Sequence, residues 1–305
     1  MEVIMSKYYV LFNPLAGNNT GRDETVKLTK EASLQEHELI FTDMTTLSSY
    51  KDFFEMLSAD DKIILSGGDG TINRFVNDIG DIRIENEIYY YATGTGNDFV
   101  FELGKKKGET PFLLNKYIKD LPTVTVNGKS YKFLNGVGYG IDGYCCEEGD
   151  KLRGKTDKPI NYAGIAIKGL LFHFKPRVAT ITVDGKKYTY KKTWIAPTMK
   201  GKCYGGGMIM APQQDRLAED GMVSAMALHG AGKLKTLMVF PSIFKGEHVK
   251  HKEMVAIHRG HEITVEFNMP TALQIDGETI VGVTSYSVST GKKAKTEATE
   301  TVTSV

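Results

Sequence analysis

KIILSGGDGTIN, residues Lys62–Asn73, is the stretch on which the fold turns. Ile63–Leu65 form a continuous apolar run of the kind that fills a strand buried on both faces. Gly67 and Gly68 carry no Cβ, so their backbone can approach an anionic group closely. TINRFVNDI then opens a helical pattern, and Thr71 can cap that helix or bond a phosphate oxygen. A strand, a glycine turn and a helix N-terminus together aim N–H groups and the positive end of a helix dipole at a phosphate. Asp69 is the odd residue, because a carboxylate among phosphates is repelled. Two roles remove the penalty: holding Mg²⁺, directly or through water, or accepting a proton from an attacking hydroxyl. The plainer alternative is a glycine-rich turn held by an Asx-type bond from Asp69.

Outward from this stretch the same grammar repeats. YYVLFN (Tyr8–Asn13), ELIFTD (Glu38–Asp43) and IYYYAT (Ile88–Thr93) are strand-like, and RDETVKLTKEASLQEH and SSYKDFFEMLSA between them carry helical spacing. Alternation of strand and helix predicts a doubly wound parallel sheet over residues 1–120. Glycine-rich turns follow three of its strands: FNPLAGNNTG, LSGGDGTIN and YATGTGND. In an open α/β sheet such turns converge at the carboxyl ends of the strands, where ligands bind. In the first, Asn13 and Gly17 can cradle adenine, ribose or phosphate, or Asn13 and Pro14 can simply stabilise a turn. In the third, Gly94, Thr95 and Gly96 offer N–H groups and a hydroxyl. Asn97 and Asp98 can bond across to the second loop or to a metal.

From Thr123 the pattern changes. TVTVNGKSYKF and ATITVDGKKYTYKK each place Asn-Gly or Asp-Gly between strand-like runs, a hairpin signal, and GMVSAMAL and HEITVEFNMPTALQIDGETI continue it. Helical insertions are expected at INYAGIAIKGLLFHF and GKLKTLMVFPSIFKG. Residues 121–289 therefore read as a mainly antiparallel β domain. Its cleft with the first domain is the default site, and a polar tail, residues 290–305, can return to the first domain. The 305 residues are 41% hydrophobic and 25% charged with net charge +1, which gives no electrostatic case for nucleic acid. No apolar run reaches membrane-span length, and no signal peptide is read at MEVIMSKYYV. Cys145, Cys146 and Cys203 offer no disulfide framework, so a reduced, cytoplasmic setting is expected.

GDKLRGKT (Gly149–Thr156) matches G-x-x-x-x-G-K-[ST] letter for letter. Acids precede it in place of a strand, and Pro159 follows closely, so the pattern is read as a decoy. His248, His251, His258 and His261 have paired spacing suggestive of a metal, but Lys and Arg lie among them, and a basic, exposed lip is the expectation. Lys105–Lys107 read as a solvated loop that can touch anionic headgroups. GLLFHFK can dip into lipid or serve as an amphipathic core helix.

In order, NPLAG, GGDGTIN, GTGNDF, NGVGYGIDG, GGGMIMAP, EDGMV and QIDGE resemble the diacylglycerol kinase catalytic-domain family, which includes bacterial lipid kinases and the sphingosine and ceramide kinases. GGDGT is shared with the NAD kinases, whereas GTGNDF and the late DGE point to the lipid branch. The resemblance covers nearly the whole chain. It implies an NAD-kinase-like, three-layer α/β domain and an antiparallel β-sandwich, with ATP and Mg²⁺ meeting a lipid alcohol, most readily diacylglycerol, in the cleft between them. It implies nucleotide contacts from Asn13, Thr42, Gly67, Gly68, Asp69, Gly70, Thr71, Ile72, Asn73 and Thr95. Asp276 and Glu278 would face the GGDGT loop. One of them would be the base, with Asp276 favoured and Asp69 and Glu278 retained as candidates. A structural Mg²⁺ would take Asp220 with the carbonyls of Leu217 and Met222. The chain departs from the family at Asn18 and Asn19, where a lysine is common, and in the longer APQQDRLAEDG. The resemblance further implies a place in phospholipid biosynthesis, with a cytoplasmic enzyme meeting its lipid substrate transiently at the inner face of the membrane. A homodimer stays open. Alternatives are a kinase for a soluble substrate and a non-catalytic nucleotide-binding regulator.

Overall fold

The computed structural model describes residues 7–153 and 162–292. Its first sheet comprises β1 (Lys7–Phe12), β2 (Glu38–Asp43), β3 (Lys62–Gly67), β4 (Ile88–Ala92) and β5 (Phe112–Leu113), in the order β2-β1-β3-β4-β5. β1 to β4 are parallel, and β5 adds an antiparallel edge. Helices α1 (Ala16–Asn19), α2 (Gly21–Val26), α3 (Tyr50–Glu55), α4 (Asp69–Asp78), α5 (Asp98–Glu102) and α6 (Asn115–Ile118) accompany them. Ile63, Ile64 and Leu65 of β3 are fully buried, because each face of the sheet has its own core. Leu65, Phe75 and Phe99 pack on one side, and Val10, Leu28 and Ile64 on the other. This is the three-layer doubly wound arrangement the sequence predicts.

Local chemistry sets the helix limits. The Ser49 hydroxyl caps α3 by accepting from Asp52 N–H at 3.2 Å. The helical pattern from Arg22 to His37 is interrupted: α2 stops at Val26 and 3₁₀ turns follow at Lys27–Lys30 and Ala32–Leu34. Thr25 and Thr29 donate their hydroxyls to the carbonyls of Gly21 and Val26, the back-bonding that bends helices at such residues.

The second domain is a ten-stranded antiparallel sheet that begins at β6 (Thr123–Val126). Its next strands are β7 (Lys129–Lys132), β8 (Gly136–Tyr139), β9 (Arg177–Val183), β10 (Lys186–Thr193) and β11 (Thr198–Met199). The small pair β12 (Cys203–Tyr204) and β13 (Met208–Ile209) stands apart, and β14 (Val223–Leu228), β15 (Val255–Gly260), β16 (Glu262–Ile275) and β17 (Glu278–Ser289) complete the sheet. Three hairpin turns put both central residues at positive φ: Asn127–Gly128, Asp184–Gly185 and Asp276–Gly277. Asx-Gly pairs tolerate that geometry, which matches the twist of the flanking strands. β16 pairs with β9 over Ile263–Phe267 and with β8 over Leu273–Ile275, with a register break around Pro270. Proline cannot donate to a ladder, so the strand bends there and serves both layers of the sandwich.

Outside the sandwich, α7 (Ile141–Arg153), α8 (Tyr162–Lys168), a π-helical turn at Gly169–His173 and α9 (Lys233–Val239) cover a second core around Trp194, Leu170 and Ile243. Gly149–Arg153 lie inside α7, so this half of the phosphate-loop match is helix rather than loop. Residues 154–156 of the match, and 293–305 of the tail, lie outside the described residues. The histidines do not form an exposed lip. His248 and His261 are buried, against the Met210 carbonyl and the Thr290 hydroxyl, and His258 stacks on Tyr188. Among the described residues, no group of three or more His, Cys, Asp or Glu side chains is placed to hold a metal.

The domains are joined by polar contacts. Arg216 donates Nε to Glu102 Oε1 at 3.0 Å and Nη2 to Oε2 at 2.5 Å, with side chains only 3% and 4% exposed. Breaking a buried pair leaves one charge uncompensated, whereas removing both does not. Arg216→Met is expected to lower the unfolding free energy in urea titrations by about 3–5 kcal/mol. Glu102→Leu/Arg216→Met is expected to recover most of that loss.

Candidate active site

All three glycine loops converge at the carboxyl ends of β1, β3 and β4. Thr93 and Gly94 donate their N–H groups to the Gly67 carbonyl at 2.8 and 3.0 Å, and Asp69 N–H donates to the Gly96 carbonyl at 2.9 Å. Gly94 and Gly68 lie back to back: a Cβ on Gly94 would fall 2.4 Å from Gly68 Cα. These glycines are therefore required by loop-against-loop packing as much as by any ligand. Gly70, Thr95 and Gly96 are exposed at the mouth, while Gly67, Gly68 and Thr71 are buried beneath them.

The remaining candidates divide. Asn13 Oδ1 accepts from Leu15 N–H at 3.0 Å, an Asx turn that opens the first loop, and Gly17 is left-handed at φ 62°. Thr42 is half-buried at the end of β2. Ile72 is wholly within the core, so it offers only backbone. The Asn73 amide faces the second domain, donating to Asp276 Oδ2 at 2.7 Å and to the Lys132 carbonyl at 3.1 Å. Asn97 Nδ2 donates to the Gly94 carbonyl at 2.7 Å, which leaves its Oδ1 buried without a partner.

Asp69 is the centre of the site. It is the first residue of α4 and is 6% exposed. Its Oδ2 accepts from Phe99 N–H at 3.1 Å and from Asn135 Nδ2 at 2.8 Å, while Oδ1 is buried with no hydrogen-bond partner. Burial, reinforced by the negative charges of Asp98 and Asp276, pushes its carboxyl up to about 8. A carboxyl raised this far keeps its proton at acidic pH and gives it up around pH 8, within reach of proton transfer near neutrality.

Asp276 is bound differently. Its carboxylate accepts from Leu134 N–H (2.5 Å), Asn135 N–H (2.9 Å), Gly136 N–H (3.0 Å) and the Asn73 amide. Burial raises its pKa, and these four donors oppose the rise by holding the charged form. With every lone-pair direction engaged, it serves as a clamp between the domains, and Asp69 is the carboxylate with an open oxygen. Glu278, at the start of β17, is exposed.

Three further residues complete the setting. Asn135 joins Asp69 by its side chain and Asp276 by its backbone. Only the first position of NGVGYGIDG could have hinted at it, since nothing local marks an asparagine as a bridge. The Asp98 oxygens accept from Gly207 N–H at 2.6 Å and Gly206 N–H at 3.0 Å, so this acid reaches the second domain rather than the second loop. Arg216 Nη2 also donates to Asn135 Oδ1 at 3.0 Å.

Two of the expected structural-metal donors, the Asp220 carboxylate and the Met222 carbonyl, have protein partners. Both Asp220 oxygens face Arg259 Nη2, at 3.0 and 3.2 Å, and Oδ1 also accepts from Met222 N–H. The Met222 carbonyl accepts from Gln214, and Leu217 N–H is held by Asp215. Arg259 thus shares the carboxylate that such a metal would use.

The chain matches two family models. The diacylglycerol kinase catalytic domain matches residues 7–125, and the YegS C-terminal NAD kinase beta sandwich-like domain matches residues 135–291. Similar proteins include a diacylglycerol kinase of Bacillus subtilis (strain 168), 26% identical over 224 residues that cover 72% of this chain and 71% of that protein. A diacylglycerol kinase of Mycobacterium tuberculosis (strain ATCC 25618 / H37Rv) is 24% identical over 213 residues, 68% of this chain and 67% of that one. A solved structure from Bacillus anthracis str. Sterne shares the fold with a TM-score of 0.66 at 19% identity, over 95% of this chain and 93% of that one. A further structure from that strain, of a diacylglycerol kinase, aligns with a TM-score of 0.58 at 19% identity over 94% of each chain. With one model spanning the parallel-sheet domain and the other half of the chain, the conclusion follows that this protein belongs to the diacylglycerol kinase catalytic-domain family.

Proposed function

We propose that the protein is a lipid kinase that transfers the γ-phosphate of ATP to a lipid hydroxyl, with diacylglycerol the first acceptor to test. One observation carries the reading: a buried aspartate with an unpartnered oxygen and a raised pKa stands where three glycine loops meet a second domain. The relatives called diacylglycerol kinase support the acceptor class.

In this reading the Gly67–Thr71 turn and the N-terminus of α4 cradle the triphosphate, with Thr95 and Gly96 at the mouth. Asp69 Oδ1 accepts the proton of the lipid hydroxyl as that oxygen attacks the γ-phosphorus in line. Asn135 and Phe99 N–H hold the carboxylate through Oδ2, which leaves Oδ1 without a protein donor. Mg²⁺, when bound, would neutralise phosphate charge. The partnerless Asn97 Oδ1 is a hard oxygen donor suited to it, alongside the phosphates themselves.

Surface composition supports contact with a membrane. Phe172, Leu234 and Met238 are 71%, 76% and 74% exposed, on the π-helical turn and α9. Lys233 Nζ donates to the Leu171 carbonyl at 2.7 Å and ties the two elements together. Lys168, Lys175 and Lys235 are also exposed on these segments. Apolar tips rimmed by cations suit the interface of an anionic bilayer. No helix among the described residues is long and apolar enough to cross a membrane.

Labelled phosphate from ATP should appear on one member of a panel of diacylglycerol, monoacylglycerol, sphingoid base, ceramide and polyprenol in mixed micelles. Label on none of them, with ATP still bound, would transfer the reading to a soluble acceptor or a regulator. Asp69→Asn is expected to lower kcat by about 10²–10⁴-fold, the range for a lost general base. The pH dependence of Asp69 has a defined sign. Its folded-state pKa lies above the unfolded value of 3.8, so its protonation stabilises the fold fully below that value, and the contribution is lost as pH rises to about 8. Wild-type kcat/KM should therefore rise through about pH 8 as the base is unmasked, and Asp69→Asn should raise the Tm of the nucleotide-free protein more at alkaline than at acidic pH. Phe172→Ser/Leu234→Ser/Met238→Ser is expected to weaken binding to anionic vesicles by about tenfold or more, read by co-sedimentation, with ATP affinity unchanged.

A further inference from the structure

Beyond Arg216, where α6 of the first domain faces the segment from Lys200 to Gly221 and the end of β17, lies a cavity of about 260 Å³, lined in part by Arg216 and Leu217 and apart from the glycine loops. Its charged lining is Lys116, Lys119, Asp120, Lys200, Arg216 and Lys292. Arg216 is spent on Glu102, which leaves four lysines against one carboxylate.

Lys200 is the decisive residue. It is 6% exposed, and its backbone N–H donates to the Asn135 carbonyl, yet among the described residues its ammonium makes no hydrogen bond or ion pair. An ammonium carries three donors and no acceptor, so one that faces a cavity without a protein partner favours an anion there. Burial, with repulsion from Arg216 and Lys292, draws Lys200 below the usual lysine range, and Asp120 and Asp215 only partly offset this. The neighbouring cations are also weakly engaged. Lys292 Nζ meets only the Glu219 carbonyl, at 3.4 Å, and Lys116 lies over the Tyr117 ring. The cavity is smaller than the roughly 300 Å³ at which pockets for drug-sized ligands begin, and it suits a small oxyanion.

We propose that this cavity binds a phosphate monoester group, with Lys200 as its central ligand and Lys116, Lys119 and Lys292 at the rim. Phosphate oxygens supply the acceptors these ammoniums lack, in charge-assisted bonds. The group comes either from a soluble phosphate or from the headgroup of an anionic phospholipid. The cavity wall leads to the carboxylate cluster: Arg216 donates to Asn135 Oδ1, and Asn135 donates to Asp69. A chain of hydrogen bonds thus joins the cavity wall to the residue at the centre of the site.

Calorimetric titration at constant ionic strength, with a non-hydrolysable ATP analogue filling the glycine loops, tests this on the full chain. The probes are inorganic phosphate, glycerol 3-phosphate, and phosphatidylcholine vesicles with or without phosphatidic acid. Wild type should bind saturably, and Lys200→Met, which keeps the length and removes the charge, should weaken binding by about tenfold or more. Lys292→Met and Lys119→Met alter exposed side chains and should each weaken it a few-fold, whether or not Lys200→Met folds. Binding of the soluble probes assigns a free phosphate, and binding confined to phosphatidic acid vesicles assigns a headgroup. Absence of saturable binding in every arm, or binding that all three variants leave unchanged, overturns the site. Neither result bears on the role of Asp69, which its own variant tests.

Discussion

Asn135 holds two carboxylates at once, and the relation of the two domains depends on it. Its amide donates to Asp69 at the head of α4, and its backbone N–H donates to Asp276 in the last hairpin turn. Asp276 in turn receives Asn73 from the first domain. Two acids from opposite domains are thereby fixed within one network, and the cleft has one geometry. In a low-dielectric setting such bonds are strong when satisfied and costly when broken, so this junction discriminates sharply between correct and incorrect docking.

The two carboxylates share that network and differ in chemistry. Asp276 is surrounded by four donors, which favour its charged form against the effect of burial. Asp69 has donors on one oxygen only, and it sits beside the negative charges of Asp98 and Asp276. The protein keeps an under-solvated acid buried beneath the mouth of its glycine loops. Destabilised groups of this kind concentrate where proton transfer is needed. Asp142 is a second instance inside the β domain: one oxygen accepts from the Tyr204 hydroxyl at 2.6 Å, the other has no partner, and burial raises it to about 6.

Much of this was legible in the sequence. Apolar strands followed by glycine turns forecast the parallel sheet and the place where its loops meet. Asx-Gly pairs forecast three hairpins, all of which form with positive φ at both positions. The phosphate-loop pattern at Gly149 was rightly set aside on its context, and its first half is helix. Ile72 and the histidines were harder, because a motif gives identity without orientation. Ile72 lies among the loop's candidate residues and is buried in the core, and His248 and His261 lie in a stretch rich in Lys and Arg and are nevertheless buried.

The sequence by itself determined which segments are strands, where the backbone turns, and which residues could approach a phosphate, because these follow from local sterics and periodicity. The tertiary structure alone decided which acid is open and which is saturated, since that depends on donors far away in the chain. Leu134, Asn135 and Gly136 reach Asp276 across some 140 positions, and Asn135 reaches Asp69 across 66. It also decided that Asp220 faces Arg259 and that four lysines meet one carboxylate around the cavity at Lys200. Charge compensation is a property of neighbours in space, and no spacing along the chain records it.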